Sequence, residues 1–141
     1  MITKKKGISP VIATVILIAI AVAIAIAVAF WAAGLTGAFT RFEKLEITSA
    51  YANSASQIVI NVKNTGSADA TITDIFINGK PLSAVSGTAD PDLSDGGLSL
   101  PSGTSTTITL TFEPGFTSGV TVDVKVHTAS GTDYPKAVVI P

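Results

Sequence analysis

His127 is the only histidine in the chain, and there is no cysteine. An imidazole metal site or a Ser–His nucleophile would therefore rest on His127 alone. No partner stands at ligand or dyad spacing from it, so the reading is a structural or surface histidine. The missing cysteines exclude disulfides, thiolate metal ligands and thiol catalysis, so any domain outside the cell must be stable through packing. Asp90, Asp92 and Asp95 ahead of Gly96 approach a calcium loop. Their spacing is not D-x-D-x-D-G, and Pro101 occupies the twelfth position, where a bidentate glutamate is required. A solvated acidic loop is the expectation. Asp95, Gly96 and Gly97 open no helix and so form no phosphate cradle. The hydroxyl-rich run at Ser102, Thr104, Ser105, Thr106 and Thr107 suits strand faces and turns, where threonine is favoured. None of Asn53, Asn61, Asn64 and Asn78 is followed two places on by a hydroxyl residue, so no N-glycosylation sequon exists. The residues support no enzyme, no cofactor and no metal.

The elements that would carry these residues lie beyond Arg41. Short apolar runs there are separated by Gly, Pro, Asn, Asp and Ser. Strands are predicted at 45–51, 57–63, 70–78, 105–112, 120–127 and 137–140, with a weak one at 98–100. Alternation is clear in Ile58, Ile60 and Val62, in Ile108, Leu110 and Phe112, and in Val120, Val122, Val124 and Val126. Period-two alternation buries one face of each strand and leaves the other wet. Six or seven strands at this spacing predict an antiparallel immunoglobulin-like β-sandwich. Asn78 and Gly79 both tolerate positive φ and suit a type I′ hairpin. Residues 83–99, rich in Gly, Asp and Ser, are expected to form one long exposed loop.

Residues 8–39 have a different texture. They hold no charge, and their only hydroxyls are Ser9, Thr14 and Thr36. A bilayer needs roughly 20 apolar residues to be crossed, so this run is long enough with some to spare. Alternating Ile/Val and Ala from Ile18 to Ala29 has the period of a strand. A lone strand cannot satisfy its backbone in lipid, whereas a helix does so internally, so a helix is predicted. On that helix, alternation puts small notches beside large knobs on every face, which suits packing among other helices. Ser9 is expected to cap the helix and Pro10 to fill its first position. Gly34 and Gly37 are expected as loosening points near its end. Phe30 and Trp31 follow Ile8 by about 22 residues, roughly 33 Å along the axis, where an outer aromatic belt would fall. The organisation is thus a basic leader at 1–7, a hydrophobic helix at 8–40 and a β-sandwich domain at 41–141.

Charge supplies the orientation. Lys4, Lys5 and Lys6 precede the apolar run, while the part from Arg41 onward has six basic residues against ten acidic ones. Lysines before a span mark the cytoplasmic side, so the domain is expected outside. The acidic balance argues against a nucleic-acid face, which needs clustered Lys and Arg.

The leader and helix start, Lys4-Lys5-Lys6-Gly7 followed by Ile8-Ser9-Pro10-Val11-Ile12, resemble the amino terminus of archaeal type IV pilins, which carry a class III signal peptide. The resemblance implies a prepilin peptidase cut between Gly7 and Ile8. It further implies an assembly ATPase and a membrane platform protein that lift the helix from the membrane into a filament core. Cutting at Gly7 would remove three lysines, each costing about 2.5–3.5 kcal/mol at the centre of a bilayer. Bacterial pilins place a glutamate at the fifth mature position, which here is Ile12. Archaellins usually lack the Ser-Pro start, so the resemblance is to pilins first. Residues 58–82 also resemble the sandwich domains of archaeal pilins and archaellins. The implied function is a structural subunit of an adhesion pilus, a membrane precursor that becomes an extracellular helical homopolymer. O-linked glycosylation of the exposed Ser/Thr surface is compatible with it. The alternatives are a single-pass membrane-anchored β-sandwich binding module and an archaellin of a swimming filament.

Overall fold

A computed structural model describes residues 8–141, which fall into two compact units divided at Thr40 and Arg41. In the first, a single helix, α1, runs Ile8–Thr40. Thirty-three residues at the usual rise make it roughly 50 Å long. The period-two alternation does not produce a strand because the apolar residues are present on every face and a helix closes its own hydrogen bonds. Its threonines are also closed internally: Thr14 Oγ1 donates to the Pro10 carbonyl at 2.7 Å and Thr36 Oγ1 to Ala32 at 2.8 Å. Such bonds to the preceding turn hide the hydroxyl from an apolar surround. The helix already includes Ile8, so Ser9 stands inside its first turn instead of capping it, and Pro10 follows in the same turn, where a proline lacks only an N–H that would be unpaired anyway. Gly34 and Gly37 lie inside the helix and do not end it. It continues through both to Thr40, since a helical glycine costs only about 1 kcal/mol relative to alanine.

The second unit is the antiparallel sandwich that the alternation predicts. Its strands are β1 (Leu45–Ser54), β2 (Gln57–Asn64), β3 (Ala70–Ile77), β4 (Lys80–Pro81), β5 (Gly87–Asp90), β6 (Leu98–Leu100), β7 (Ser105–Phe112), β8 (Thr121–Thr128) and β9 (Asp133–Val139). One sheet has the order β1-β2-β7-β5 and the other β4-β3-β8-β9, with β6 also paired to β3. The inward residues close one core: Ile58, Ile60 and Val62 of β2 meet Ile72, Ile75 and Ile77 of β3, Ile108 and Leu110 of β7, and the valines of β8. All of these are fully buried. Each such side chain contributes about 1.5–3 kcal/mol relative to exposure. The hairpin from β3 to β4 turns through Asn78 and Gly79, at φ of 51° and 79°. Asn78 Oδ1 also accepts the Asp123 N–H at 2.9 Å, tying the turn to β8.

Several boundaries differ from expectation. β1 continues to Ser54, because bulges at Thr48 and Asn53 absorb the residues that break its alternation. β9 begins at Asp133 instead of 137. Pro135 disguises it, yet β9 ends its sheet, where a residue without an N–H is tolerated. The largest correction concerns 83–99. This segment is no single loop: it carries a 3-10 turn (Leu82–Val85), the strand β5 and the start of β6.

Candidate functional site

Four places in the molecule carry the residues singled out above. The first is the surface of α1. Every described side chain from Ser9 to Thr40 is exposed, including Ile24 at 58%, Trp31 at 68% and Phe39 at 78%. The helix is long and apolar enough to cross a membrane. Lys4, Lys5, Lys6 and Gly7 lie outside the described residues, as does the side chain of Ile8.

The second is the start of the sandwich, where residues 42–44 are clasped by the turn after β2. Thr65 N–H and Gly66 N–H both donate to the Lys44 carbonyl, and Ser67 N–H and Ala68 N–H to that of Phe42, at 2.9–3.1 Å. Phe42 N–H returns a bond to Ser67 Oγ. Gly66 permits this approach: a Cβ there would lie 2.5 Å from both Lys44 N and Phe42 O. Asn64, fully buried, holds the turn from beneath. Its Nδ2 donates to the carbonyls of Ala68 and Leu100, and its Oδ1 accepts from Gly66 N–H, so the buried amide is fully used. Ser102 Oγ closes the ring by donating to the Gly66 carbonyl at 2.6 Å.

The third is His127, inside β8 and on the outer face of its sheet. Its Nδ1 lies 2.5 Å from Asp133 Oδ1, and Lys125 Nζ is 3.6 Å from Asp133 Oδ2. The His127 bond, helped by the Lys125 charge, holds the Asp133 carboxyl below the usual aspartate value. Phe76 of β3 meets the imidazole edge-on at 5.8 Å between centroids. The cluster ties β3, β8 and β9 across an open face, which is structural work. Among the described residues no three His, Asp or Glu side chains gather as metal ligands.

The fourth was not legible from motifs. A groove of about 530 Å³ lies where 83–99 had been expected to be loop. It is lined by Thr73 and Asp74 of β3, Leu82, β5 and the Asp92–Ser94 turn. Asp92 accepts from Ser94 through both oxygens, from N–H at 3.0 Å and Oγ–H at 2.7 Å. Those bonds hold its carboxyl below the usual aspartate value, so it is ionised at neutral pH. Of the three aspartates ahead of Gly96, Asp92 lines the groove and Asp90 and Asp95 flank it in sequence; Gly97 meanwhile packs against the Ile72 carbonyl at the start of β6. The sequence signal was the small pair Gly87 and Ala89. A Cβ on Gly87 would fall 2.5 Å from Leu82 Cδ1 and 2.8 Å from Phe112 Cε1, so β5 lies close against the core. In the same sheet as β5, Thr107 Oγ1 donates to Asn61 Oδ1, and just before β7 Thr104 Oγ1 donates to the Pro101 carbonyl, both at 2.6 Å. Together with Ser102, these hydroxyls already spend their hydrogens locally.

No curated protein sequence matches the chain. Among solved structures it is similar to the archaellum periplasmic stator protein FlaG from Sulfolobus acidocaldarius. The identity is 18% and the TM-score 0.55, over 68% of this chain and 99% of that one. A chain of the archaellum periplasmic stator protein complex of FlaF and FlaG, from the same organism, gives 18% and 0.54 over 68% and 89%. At that identity the likeness is one of fold. The CARDB family model matches residues 41–133, from the clasped segment to Asp133 of β9. With its sandwich matched over that whole span, the chain belongs to the CARDB family.

Proposed function

We propose that the protein is a membrane-anchored β-sandwich protein of an archaeal surface-filament system, held in lipid by α1 with its sandwich outside the cytoplasm. The observation that carries this reading is the contrast between an uncharged helix exposed along its whole length and a separate sandwich with a closed core. Lys4–Lys6 before the helix and the acidic balance after it support the orientation. The fold likeness to FlaG, a periplasmic stator protein of the archaellum, supports the setting. The sandwich acts by binding protein partners, without catalysis and without a cofactor.

A second reading, the adhesion-pilus subunit, is favoured by the leader alone. Lys4, Lys5, Lys6 and Gly7 before Ile8 have the pattern that a prepilin peptidase cuts, and the notched helix suits a filament core. Repeated non-closing contacts between copies would then generate the fibre. Shearing native cells separates the two. Recovery as detergent-extractable, non-polymeric protein in the membrane fraction supports the anchor. Recovery in sheared filaments beginning at Ile8, and lost in a Gly7→Trp variant, replaces it with the pilin.

A further inference from the structure

The two sides of the sandwich are built differently. On one, β1 and β9, the last strands of their sheets, lie beside each other. On the other, the edge of β3 is only partly covered. β6 pairs with it from Ala70 to Ile72 and β4 at Phe76 and Ile77, so the ladder is interrupted over 73–75. Between these two short strands the chain leaves the sheet, crosses to form β5 at the edge of the opposite sheet, and returns through the Asp92–Ser94 turn. The groove is the space this excursion frames. An interrupted ladder and a free strand edge are both templates for a further strand.

The walls define what would fit. Leu82, Ala89 and Leu93 are apolar and largely covered, and Thr73, Thr88 and Ser94 are polar. The charged residues lining the groove are Asp74 and Asp92, with Asp90 and Asp95 next to it in sequence and no Lys or Arg in the lining. Four residues of β5 give an edge of about 13 Å, enough to pair three to five residues of another chain. The exposed edge strands of a second copy are poor candidates. β1 brings Glu46 as its charge, and β9 carries one lysine, Lys136, offset by one aspartate, Asp133, and contains Pro135.

We propose that this groove is a docking site for an extended segment of a partner protein bearing Lys or Arg, which adds as a strand to β5. Main-chain bonds along β5 provide the affinity. Alternate side chains reach the apolar floor and the aspartate rim and provide the choice of partner. The proposal concerns the sandwich and stands whether α1 ends in lipid or in a filament.

The test uses the full chain in lipid nanodiscs and two acetylated seven-residue peptides. Both alternate Thr or Val with a charged residue, lysine in one and glutamate in the other. Amide hydrogen exchange is read at 87–90 and 73–75. The lysine peptide should slow exchange there about tenfold, less so in added salt, and the glutamate peptide should not. Ser83→Trp and Ser94→Trp, each filling the groove from an exposed position, should abolish the protection without changing the melting temperature. Asp92→Lys should weaken it. No protection by the lysine peptide, equal protection by both peptides, or protection confined to β1 and β9 would overturn the proposal. So would protection that appears with protein concentration alone, which would assign the groove to a second copy.

Discussion

Ile24 in α1 and Ile60 in β2 are the same residue in opposite circumstances. Ile24 is 58% exposed in the described structure, and Ile60 is completely buried. Both sit in alternating sequence, Ile/Val with Ala in the helix and Ile/Val with mainly polar residues (Gln57, Asn61 and Lys63, with Val59) in the strand. The alternating partner decides the outcome. Polar partners leave a wet face, so the strand needs only one covering layer, and the chain supplies it. Alanine partners leave no wet face, so the helix must be covered all round by something outside the chain. The hydrophobic effect thus acts within the molecule in one region and between the molecule and its surroundings in the other.

That contrast makes the two regions separately breakable. Phe112→Ala should have the largest effect, removing about 3–5 kcal/mol of sandwich stability, because its ring is fully buried and meets Phe116 at 4.8 Å. Thermal unfolding should report the loss while membrane partitioning stays unchanged. Ile24→Lys should do the reverse, costing about 2.5–3.5 kcal/mol of insertion and leaving the sandwich's unfolding where it was. A membrane-insertion assay and calorimetry on the same variant decide it. Asn64→Ala should cost about 1–3 kcal/mol by taking the amide donor from the carbonyls of Ala68 and Leu100 and one of two acceptors from the Gly66 N–H. Its mark should be faster amide exchange at 65–68, ahead of any change in α1. The smallest effect is electrostatic. Asp133 has its carboxyl held below the usual aspartate value, so the stability it adds is present above its unfolded pKa and lost as pH falls through the folded one. Asp133→Asn should flatten that acid limb of the stability curve, and an unchanged limb would exclude the His127 contact as its cause.

The sequence was most legible where one local rule dominated. β7 and β6 begin and end where alternation and turn residues place them, and β2 runs one residue longer, to Asn64, whose buried side chain holds the turn that follows. β5 was hidden because Gly87 and Ala89 are small for packing reasons, which gives Gly-Thr-Ala-Asp the composition of a loop. The groove was hidden with it, since it exists only once the β4–β5–β6 excursion is known. The environment of His127 was equally out of reach: Asp133 is near in sequence, but Phe76 arrives through the pairing of β3 with β8. Gly34 and Gly37 do not interrupt α1, because glycine permits a break without imposing one.

The central claim is that α1 is covered by lipid, and the single tryptophan of the chain reports on it directly. With the full chain in vesicles, Trp31 fluorescence can be quenched by bromine atoms at graded depths in the acyl chains and by acrylamide in the water. The account predicts strong quenching by shallow bromines, less by deep ones, and protection from acrylamide. Free acrylamide quenching with no effect of bromine at any depth would contradict it.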